Sequence, residues 1–312
     1  MKNKVPKISI IGAGSVGGLT ALRIAEKNLG RVVLFDIVPG LAKGKALDIE
    51  DCQQILKTNY SIEGTNQIHL LEKSDIVVVT AGFPRKPGMT REELLHKNAA
   101  IIKEICSQIK SFAPEAIVII VTNPLDVMTY YALKLLGFSR QRVFGMGATL
   151  DGSRFATAIS NRLTVPASSI KPLVIASHGE AMLPLPNFTL VKGKPLTKIV
   201  KDKKIIDELV KKTVERGKEI VDLLGSGSAF AAPSAAIAEL VEIICRKKSA
   251  KVTVSCLLDG EYNLKDICLG VPVVLTSQGI KKIIELKLNY KEQKKLLESA
   301  HTIKSLITHL GV

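Results

Sequence analysis

A short, cation-rich loop follows one of the most apolar segments of the chain. The segment TAGFPRKPGMTR, residues 80–91, comes directly after the run DIVVV and contains Arg85, Lys86 and Arg91. Proline stiffens such a loop, and planar guanidinium groups bind carboxylates through paired hydrogen bonds. These residue types therefore favour recognition of a carboxylate anion. A solvated basic loop that contacts nothing is the plainer alternative.

His178 is the candidate acid–base residue. It lies in IASHGEAM, after an apolar run and before a glycine, where a strand gives way to a loop. Imidazole titrates near neutrality and can therefore accept or donate a proton in catalysis. The other four histidines lie in strand-like or helix-like runs that suit core or surface roles: His69, His96, His301 and His309.

A glycine-rich turn joins the first predicted strand to the first predicted helix. The pattern Gly-x-Gly-x-x-Gly is formed by Gly12, Ala13, Gly14, Ser15, Val16 and Gly17. Such a turn lets the backbone and a helix N-terminus approach a pyrophosphate closely.

Asp36 ends the second predicted strand, 19 residues after Gly17 (36 − 17). The separation expected for a ribose-binding acid is about 20 residues. A carboxylate there accepts hydrogen bonds from a ribose diol and repels a 2′-phosphate, so NAD is favoured over NADP. A glycine-rich turn with a capping aspartate is the alternative.

Alternating strands and helices must position these groups. Apolar runs such as KISII, DIVVV and AIVIIV are typical of parallel strands covered on both faces, and amphipathic runs separate them. The pattern predicts an α/β fold with an N-terminal Rossmann domain, a doubly wound parallel sheet. The second half mixes helical runs with period-two patterns, which predict a C-terminal α+β domain. We place the two domains at residues 1–146 and 147–312.

Composition and charge limit the classes of function. The 312 residues include no Trp and are 46% hydrophobic, which predicts globular domains with an aliphatic core. The net charge of +15 admits nucleic acid as a partner, but no nucleic-acid motif accompanies the lysines. Five cysteines without Cys-x-x-Cys spacing indicate reduced thiols and no metal site. No apolar run reaches the roughly 18 residues that a membrane helix needs, so we expect a cytoplasmic protein.

Seven segments together resemble the lactate/malate dehydrogenase superfamily. They follow one another along nearly the whole chain: GAGSVG, TAGFPRKPGMTR, VTNPLDVMTY, GMGATLDGSRF, SHGEAMLPL, GSAFAAPSAA and DGEYNLKDICLGVPVVL. The chain is most similar to the lactate-dehydrogenase-like malate dehydrogenases of bacteria. The resemblance implies NAD as cofactor, a small dicarboxylate substrate, and a homodimer or homotetramer.

The resemblance also implies a role for each charged candidate. Arg85 meets the distal carboxylate of the substrate, and Arg91 polarises the reacting carbonyl when the loop closes. Arg154 binds the C1 carboxylate, while Asp151 orients the ring of His178 and stabilises its cation. From the residues alone, Asp151 suits a helix cap equally well.

Several uncharged residues are implied at the cofactor. Asn123 ends the strand AIVIIV, at the sheet edge where strand ends form a ligand crevice. The resemblance gives Asn123 contacts to substrate and nicotinamide, with Val121 and Thr122 lining the cofactor. Asn98 matches a further cofactor-binding position, and the plainer alternative for it is a helix-surface amide.

The chain departs from the family pattern at four residues. Ser177 and Glu180 stand where Gly and Asp are common, and Ala231 and Ala232 stand where tyrosines often occur. The longer acid of Glu180 puts its usual local hydrogen bonds behind His178 in doubt. None of the four residues is assigned to the chemistry.

Arg85 distinguishes the activities that the resemblance admits. Lactate-selective members tend to carry Gln at this position, and pyruvate would leave a buried Arg85 unpaired at a cost of about 3–5 kcal/mol. The expected activity is therefore reversible NAD-dependent oxidation of (S)-malate to oxaloacetate, a step of the tricarboxylic acid cycle. Oxidation of lactate or another 2-hydroxyacid is the nearest alternative, and a non-catalytic NAD- or nucleic-acid-binding protein is a remote one.

Overall fold

The computed structural model describes residues 5–84, 89–225 and 227–311. Arg85 lies outside these ranges, and so does the side chain of Arg91. In the first half, strands and helices alternate as the sequence predicts. They are β1 (Lys7–Ile11), α1 (Ser15–Glu26), β2 (Arg31–Phe35), α2 (Leu41–Leu56), β3 (Ile62–Thr65), β4 (Ile76–Val79), α3 (Arg91–Phe112), β5 (Ile117–Ile120), α4 (Leu125–Leu136) and β6 (Val143–Gly145).

The second half contains shorter strands and longer helices. They are α5 (Gly147–Leu163), β7 (Ile170–Lys171), β8 (Val174–Ala176), β9 (Met182–Pro184), β10 (Leu190–Val191), β11 (Lys194–Pro195), α6 (Leu196–Ile199), α7 (Lys203–Leu224), α8 (Ala231–Cys245), β12 (Ala250–Asp259), β13 (Lys265–Thr276), β14 (Gly279–Ile283) and α9 (Tyr290–His309). Single 3₁₀ turns occur at Ile68–Leu71, Ala167–Ser169 and Glu261–Asn263.

The first six strands form a parallel sheet in the order β3-β2-β1-β4-β5-β6. The chain moves outward from β1 to β3, then returns to place β4 on the other side of β1. Ligands bind outside the carboxyl ends of the strands at such a switch point. The glycine turn after β1 and the cation-rich loop after β4 both start at this edge, so the topology brings them to one crevice.

The same sheet continues into the second half of the chain. β12 joins β6 through the pair Ser255 and Gly145, and β13, β8 and β9 follow in antiparallel order, with β14 beside β13. A second, three-stranded sheet is formed by β11, β10 and β7. This architecture confirms the predicted α/β class. The proposed division between residues 146 and 147 falls between β6 and α5, within a continuous sheet.

Two apolar clusters hold these layers together. The larger one surrounds the main sheet, where β4 and β5 are buried along their whole length, as expected for strands covered on both faces. The smaller one packs α5 against α7 and the minor sheet through residues such as Phe155, Ile159 and Leu209. Because α5 contributes to both clusters, its polar face is held firmly beside the main sheet.

One local pattern agrees with the structure and one differs. The lysine-rich region 192–212 predicts solvated faces of packed elements, and its lysines are exposed, with its second part beginning the 22-residue helix α7. The alternating run KKIIELKL predicts a strand over residues 281–288, whereas β14 ends at Ile283 and residues 284–289 have no regular structure. Alternation alone did not reveal where backbone pairing stops.

Candidate active site

The glycine turn forms a narrow cradle at the N-terminus of α1. Gly12 has a φ of +103°, and a Cβ there would lie 2.6 Å from the backbone nitrogen of Ala81. A Cβ on Gly17 would lie 1.8 Å from the carbonyl oxygen of Gly12, so helix and strand touch only because both residues are glycine. A Cβ on Gly14 would meet no atom within 4 Å. The cradle is therefore tightly packed at Gly12 and Gly17 and open at Gly14.

The N-terminus of α1 offers hydrogen-bond donors to a ligand. Its N-cap is Gly14, which provides no side chain to bond the first N–H groups of the helix. Those groups, together with the positive end of the helix dipole, suit a phosphate. The open space at Gly14 and the absence of a capping side chain there fit the pyrophosphate of a dinucleotide.

Asp36 lies directly beside this cradle. One carboxylate oxygen accepts a hydrogen bond from the backbone N–H of Ala13 at 2.6 Å, and the other accepts one from Val38 at 3.0 Å. The side chain is partly exposed, and each oxygen keeps a second lone pair. The carboxylate is thus held in place and can still accept hydrogen bonds from a ribose diol. Together with the N–H groups at the start of α1, it fits NAD.

The start of the cation-rich loop is anchored by side chains of neighbouring elements. The hydroxyl of Thr80 donates to the Gly12 carbonyl at 2.9 Å, and the hydroxyl of Thr122 donates to the Ala81 carbonyl at 2.6 Å. These bonds link the loop to the glycine turn on one side and to the end of β5 on the other. The loop therefore leaves the sheet from a fixed base.

Asn98 is buried and uses its amide to hold the same crevice. Its oxygen accepts from the backbone N–H of Phe83 at 2.7 Å, and its nitrogen donates to the Asn123 carbonyl at 2.7 Å. The helix-surface alternative for Asn98 is wrong, since only 1% of the residue is exposed. The side chain of Asn123 is exposed at the end of β5, and Val121 is partly buried.

A capping box fixes the far end of the loop. Thr90 accepts a hydrogen bond from the backbone N–H of Glu93 at 3.1 Å, and the Glu93 carboxylate accepts from the Thr90 N–H at 2.9 Å. Arg91 is consequently the first residue of α3. The loop is therefore anchored at both ends, through Thr80 and Thr122 at its start and through Thr90 at its end.

His178, Asp151 and Arg154 form one hydrogen-bonded cluster. Nδ1 of His178 lies 2.9 Å from one oxygen of Asp151, whose other oxygen accepts from Arg154 at 3.3 Å. Asp151 and Arg154 lie one turn apart on α5, so both side chains leave the same face of the helix. Gly147 lets this helix approach, because a Cβ there would lie 2.8 Å from the Cβ of His178.

The environment of His178 prepares it to exchange a proton. Burial lowers the pKa of the imidazole, but the charge of Asp151 and its hydrogen bond outweigh burial, and the net shift is upward. Because the carboxylate accepts from Nδ1–H, the neutral ring carries its free lone pair on Nε2. Burial lowers the pKa of Arg154, which Asp151 opposes. The cluster thus combines a base, its orienting acid and a cation for a carboxylate.

Comparison with known proteins agrees with this geometry. Residues 6–145 match the NAD binding domain of lactate/malate dehydrogenase, and residues 148–310 match its alpha/beta C-terminal domain. The chain belongs to the lactate/malate dehydrogenase family. Membership in this family confirms the predicted superfamily and the predicted cofactor, NAD.

Relatives within the lactate/malate dehydrogenase family align with the chain from end to end. A malate dehydrogenase of Dehalococcoides mccartyi is 46% identical over 308 residues, covering 99% of this chain and 100% of that protein. A malate dehydrogenase of Methanosarcina barkeri is 45% identical and covers 98% of this chain and 99% of that protein.

Solved structures of the lactate/malate dehydrogenase family superpose closely. The Cryptosporidium parvum malate dehydrogenase is 37% identical with a TM-score of 0.96 and covers 99% of both chains. The lactate dehydrogenase of the same organism, complexed with lactic acid and cofactor, is also 37% identical, with a TM-score of 0.95, and covers 99% of this chain and 98% of that one. The fold alone therefore does not separate the two activities.

The structure of this family member assembles most of the predicted residues at one edge of the sheet. The glycine turn, Asp36 and Asn98 surround the crevice, and His178, Asp151 and Arg154 form the cluster beside α5. The hydroxyl of Thr122 is turned to β4 and bonded there. None of the helices in the described ranges is long and apolar enough to cross a membrane.

Sequence reasoning missed residues that support His178 from behind. The backbone N–H of Ser177 donates to the hydroxyl of Ser299 on α9, which donates in turn to the Ser177 hydroxyl at 2.9 Å. Asp126, at the start of α4, accepts from the backbone N–H of His178 at 2.7 Å. Only the Asp126 carboxyl gave a signal, and an acid in the first turn of a helix is ordinarily interpreted as a dipole partner.

Proposed function

We propose that the protein is a malate dehydrogenase that catalyses the reversible NAD-dependent oxidation of (S)-malate to oxaloacetate. The observation that supports this proposal most directly is the His178–Asp151–Arg154 cluster, together with the malate dehydrogenase relatives that match the chain from end to end. The cluster supplies a base, His178, and a carboxylate-binding cation, Arg154, which are both hydrogen-bonded to Asp151.

The substrate is held at both carboxylates in the proposed complex. Arg154 binds the C1 carboxylate through its planar guanidinium, and Arg85, from the loop, binds the distal carboxylate. The amide of Asn123, exposed at the end of β5, contacts the substrate between them. Closure of the loop excludes water and brings Arg91 to the C2 oxygen.

Proton transfer belongs to His178. NAD, when bound, supplies the hydride acceptor at its nicotinamide ring. Nε2 of neutral His178 accepts the proton of the C2 hydroxyl as the carbonyl forms, and Asp151 stabilises the resulting imidazolium. In the reverse direction, the protonated ring returns this proton while Arg91 stabilises the negative charge that develops on the oxygen.

The cofactor contacts follow the described cradle. The six residues of the glycine turn, Gly12, Ala13, Gly14, Ser15, Val16 and Gly17, receive the pyrophosphate. Asp36 receives the adenosine ribose, and Val121, Thr122, Asn98 and Asn123 line the nicotinamide end. We extend the proposal to a cytoplasmic homodimer or homotetramer acting in the tricarboxylic acid cycle, with the two domains divided at residues 146 and 147. Exposed apolar side chains on α2, Leu47 and Ile55, support a subunit contact.

A lactate dehydrogenase is the second candidate, since a structure of that activity superposes as closely as a malate dehydrogenase does. Steady-state rates with oxaloacetate, pyruvate and 2-oxoglutarate, each with NADH and NADPH, test the choice. We expect oxaloacetate with NADH to give a kcat/KM at least about two decades above pyruvate, as an unpaired buried arginine implies. Comparable values for the two substrates would contradict the proposal.

A further inference from the structure

A second carboxylate is buried against the backbone of His178. Asp126 lies in the first turn of α4, and 2% of it is exposed. One of its oxygens accepts from the backbone N–H of His178 at 2.7 Å, and the other accepts from the hydroxyl of Ser255 on β12 at 2.6 Å. The proposed reaction gives this carboxylate no role.

We propose that Asp126 is a positioning residue for proton transfer, which fixes the backbone of His178 and adds negative charge beneath its imidazole. This inference rests on the proposed function, because it concerns the same proton acceptor. It assigns to Asp126 an effect on the reaction that acts through His178 rather than through contact with substrate.

The geometry shows how Asp126 restrains His178. Asp151 holds the residue at Nδ1 from α5, and Asp126 holds it at the backbone nitrogen from α4. One bond therefore restrains the imidazole ring and the other restrains the backbone that carries it. Ser255 locks the Asp126 carboxylate to the sheet, so the restraint is tied to β12.

Asp126 also links His178 to the substrate crevice. It follows Asn123 by three residues (126 − 123) in the segment that leaves β5 and begins α4. The amide that meets the substrate and the carboxylate that holds the base therefore belong to one short, rigid piece of chain. A displacement of this piece would move both groups together.

The charge of Asp126 acts on a crowded set of neighbours. Burial raises its pKa to about 6, against the hydrogen bonds from Ser255 and His178 that lower it. Among the side chains that the structure describes, the charged groups that face His178 are Asp151 and Arg154 of α5 and Asp126 of α4, and Arg154 is the cation that opposes the two acids. Above pH 6 the ionised Asp126 therefore favours the imidazolium.

Two buried thiols on β12 and β13 do not compete with Asp126 near neutral pH. Burial raises the pKa of Cys256 on β12 to about 12, and it raises that of Cys268 on β13 well above its usual range. Both side chains stay neutral where His178 titrates. Because Asp126 and His178 interact, the protonation of each group affects the pKa of the other.

The decisive variant is Asp126→Asn. An asparagine can keep both bonds, with its oxygen accepting from His178 N–H and its nitrogen donating to Ser255, while the charge is lost. Ser255→Ala is the second variant: without the hydroxyl, Asp126 holds its proton to higher pH and carries less charge near neutrality. Thr129→Val, one turn along α4, is the matched control, since the Thr129 hydroxyl only donates to Leu125 in its own helix.

The first measurement needs no turnover. Imidazole NMR signals of the protein without substrate are followed against pH, and the chain has only five histidines, so His178→Gln assigns the signal. We expect the His178 midpoint to move to lower pH in Asp126→Asn, to move less in Ser255→Ala, and to stay in Thr129→Val. An unchanged or higher midpoint in a folded Asp126→Asn variant overturns the inference, and if that variant fails to fold, the same result for Ser255→Ala overturns it.

The second measurement is the pH profile of kcat/KM for malate. One unit below the wild-type midpoint, where wild type retains about one tenth of its plateau rate, we expect Asp126→Asn to retain two to three times that fraction. The plateau kcat falls severalfold because a lower pKa makes His178 a weaker base, while KM stays within about twofold because Arg154 is untouched. If the wild-type protein does not turn over malate, the proposed function is refuted. The inference about Asp126 is still tested, because the NMR titration needs no turnover.

Discussion

The carboxylate of Asp151 bonds His178 and Arg154 at the same time, with its two oxygens 2.9 Å from Nδ1 of the ring and 3.3 Å from the guanidinium. A single acid therefore aligns the proton acceptor with the cation that receives the substrate carboxylate. Only 2% of the Asp151 side chain is exposed, so water does not substitute for either bond.

Replacing Asp151 by Asn tests this alignment. The amide nitrogen would donate to Nδ1, which leaves the proton of the neutral ring on Nε2 and removes the acceptor. We expect kcat for malate oxidation to fall by about 10³–10⁴. The Asp151 charge raises the pKa of His178, so its loss moves the acid limb of the pH profile to lower pH. Full activity with a wild-type profile would refute the role of Asp151.

Arg85→Gln tests the choice between malate and lactate. Residue 85 lies outside the described ranges, so this prediction rests on the sequence and on the charge of the substrate. We expect kcat/KM for oxaloacetate to fall by roughly two to three decades, and that for pyruvate to fall far less. Lys86→Gln removes a neighbouring cation of the same loop and serves as the control, with little change for either substrate. Equal losses on both substrates in Arg85→Gln would count against the assignment.

Two glycine variants separate cofactor contact from packing. Gly14→Ala places a methyl group in open space above the cradle, so folding is retained and NADH affinity falls about tenfold or more, as expected when charged hydrogen bonds to a phosphate are lost. Gly17→Ala forces a Cβ to 1.8 Å from the Gly12 carbonyl, and we expect a loss of unfolding free energy of about 3 kcal/mol or more. Thermal melts and NADH fluorescence titrations measure the two effects. A Gly14→Ala variant that binds NADH normally would show that the pyrophosphate lies elsewhere.

Glu242 gives a prediction for stability against pH. Its carboxylate on α8 bonds Lys27 of α1 and Lys248, which lowers its pKa to about 2. A lowered pKa means that the stabilisation is present above the unfolded value of 4.5 and is lost as the pH falls toward 2. Glu242→Gln should therefore lower the unfolding free energy by about 1 kcal/mol at pH 7.

Urea melts at pH 7 and pH 4 measure the unfolding free energies of wild type and Glu242→Gln. We expect the difference between the two proteins to be smaller at pH 4. Glu219→Gln removes the exposed pair with Arg216 and should cost less than about 0.5 kcal/mol. If the difference in unfolding free energy between Glu242→Gln and wild type became larger at pH 4, the proposed role of the Glu242 charge would be refuted.

The sequence predicted local structure best where short-range signals agreed. The start of α3 follows from Thr90 and Glu93, which form a capping box recognisable in the printed sequence. The start of α7 was missed because the lysines at its beginning obscure the apolar period, although Asp202 is a regular N-cap whose side chain accepts from Lys204.

The sequence predicted the residues proposed to contact cofactor and substrate, but not the residues that hold His178 in place. The glycine turn and Asp36 carry a spacing that the chemistry demands, and His178 carries a local pattern. The hydrogen bond from His178 to Asp126 joins residues 52 apart in the chain, and the bond from Ser255 joins residues 129 apart. Contacts of this kind depend on how strands of both halves are ordered in the sheet, which no single segment encodes.

The continuous sheet has a consequence for how a substrate enters. β12 pairs with β6 through Ser255 and Gly145, and Ser255 also bonds the buried carboxylate of Asp126. Entry of a substrate by separation of the two halves of the chain would therefore have to break this pairing.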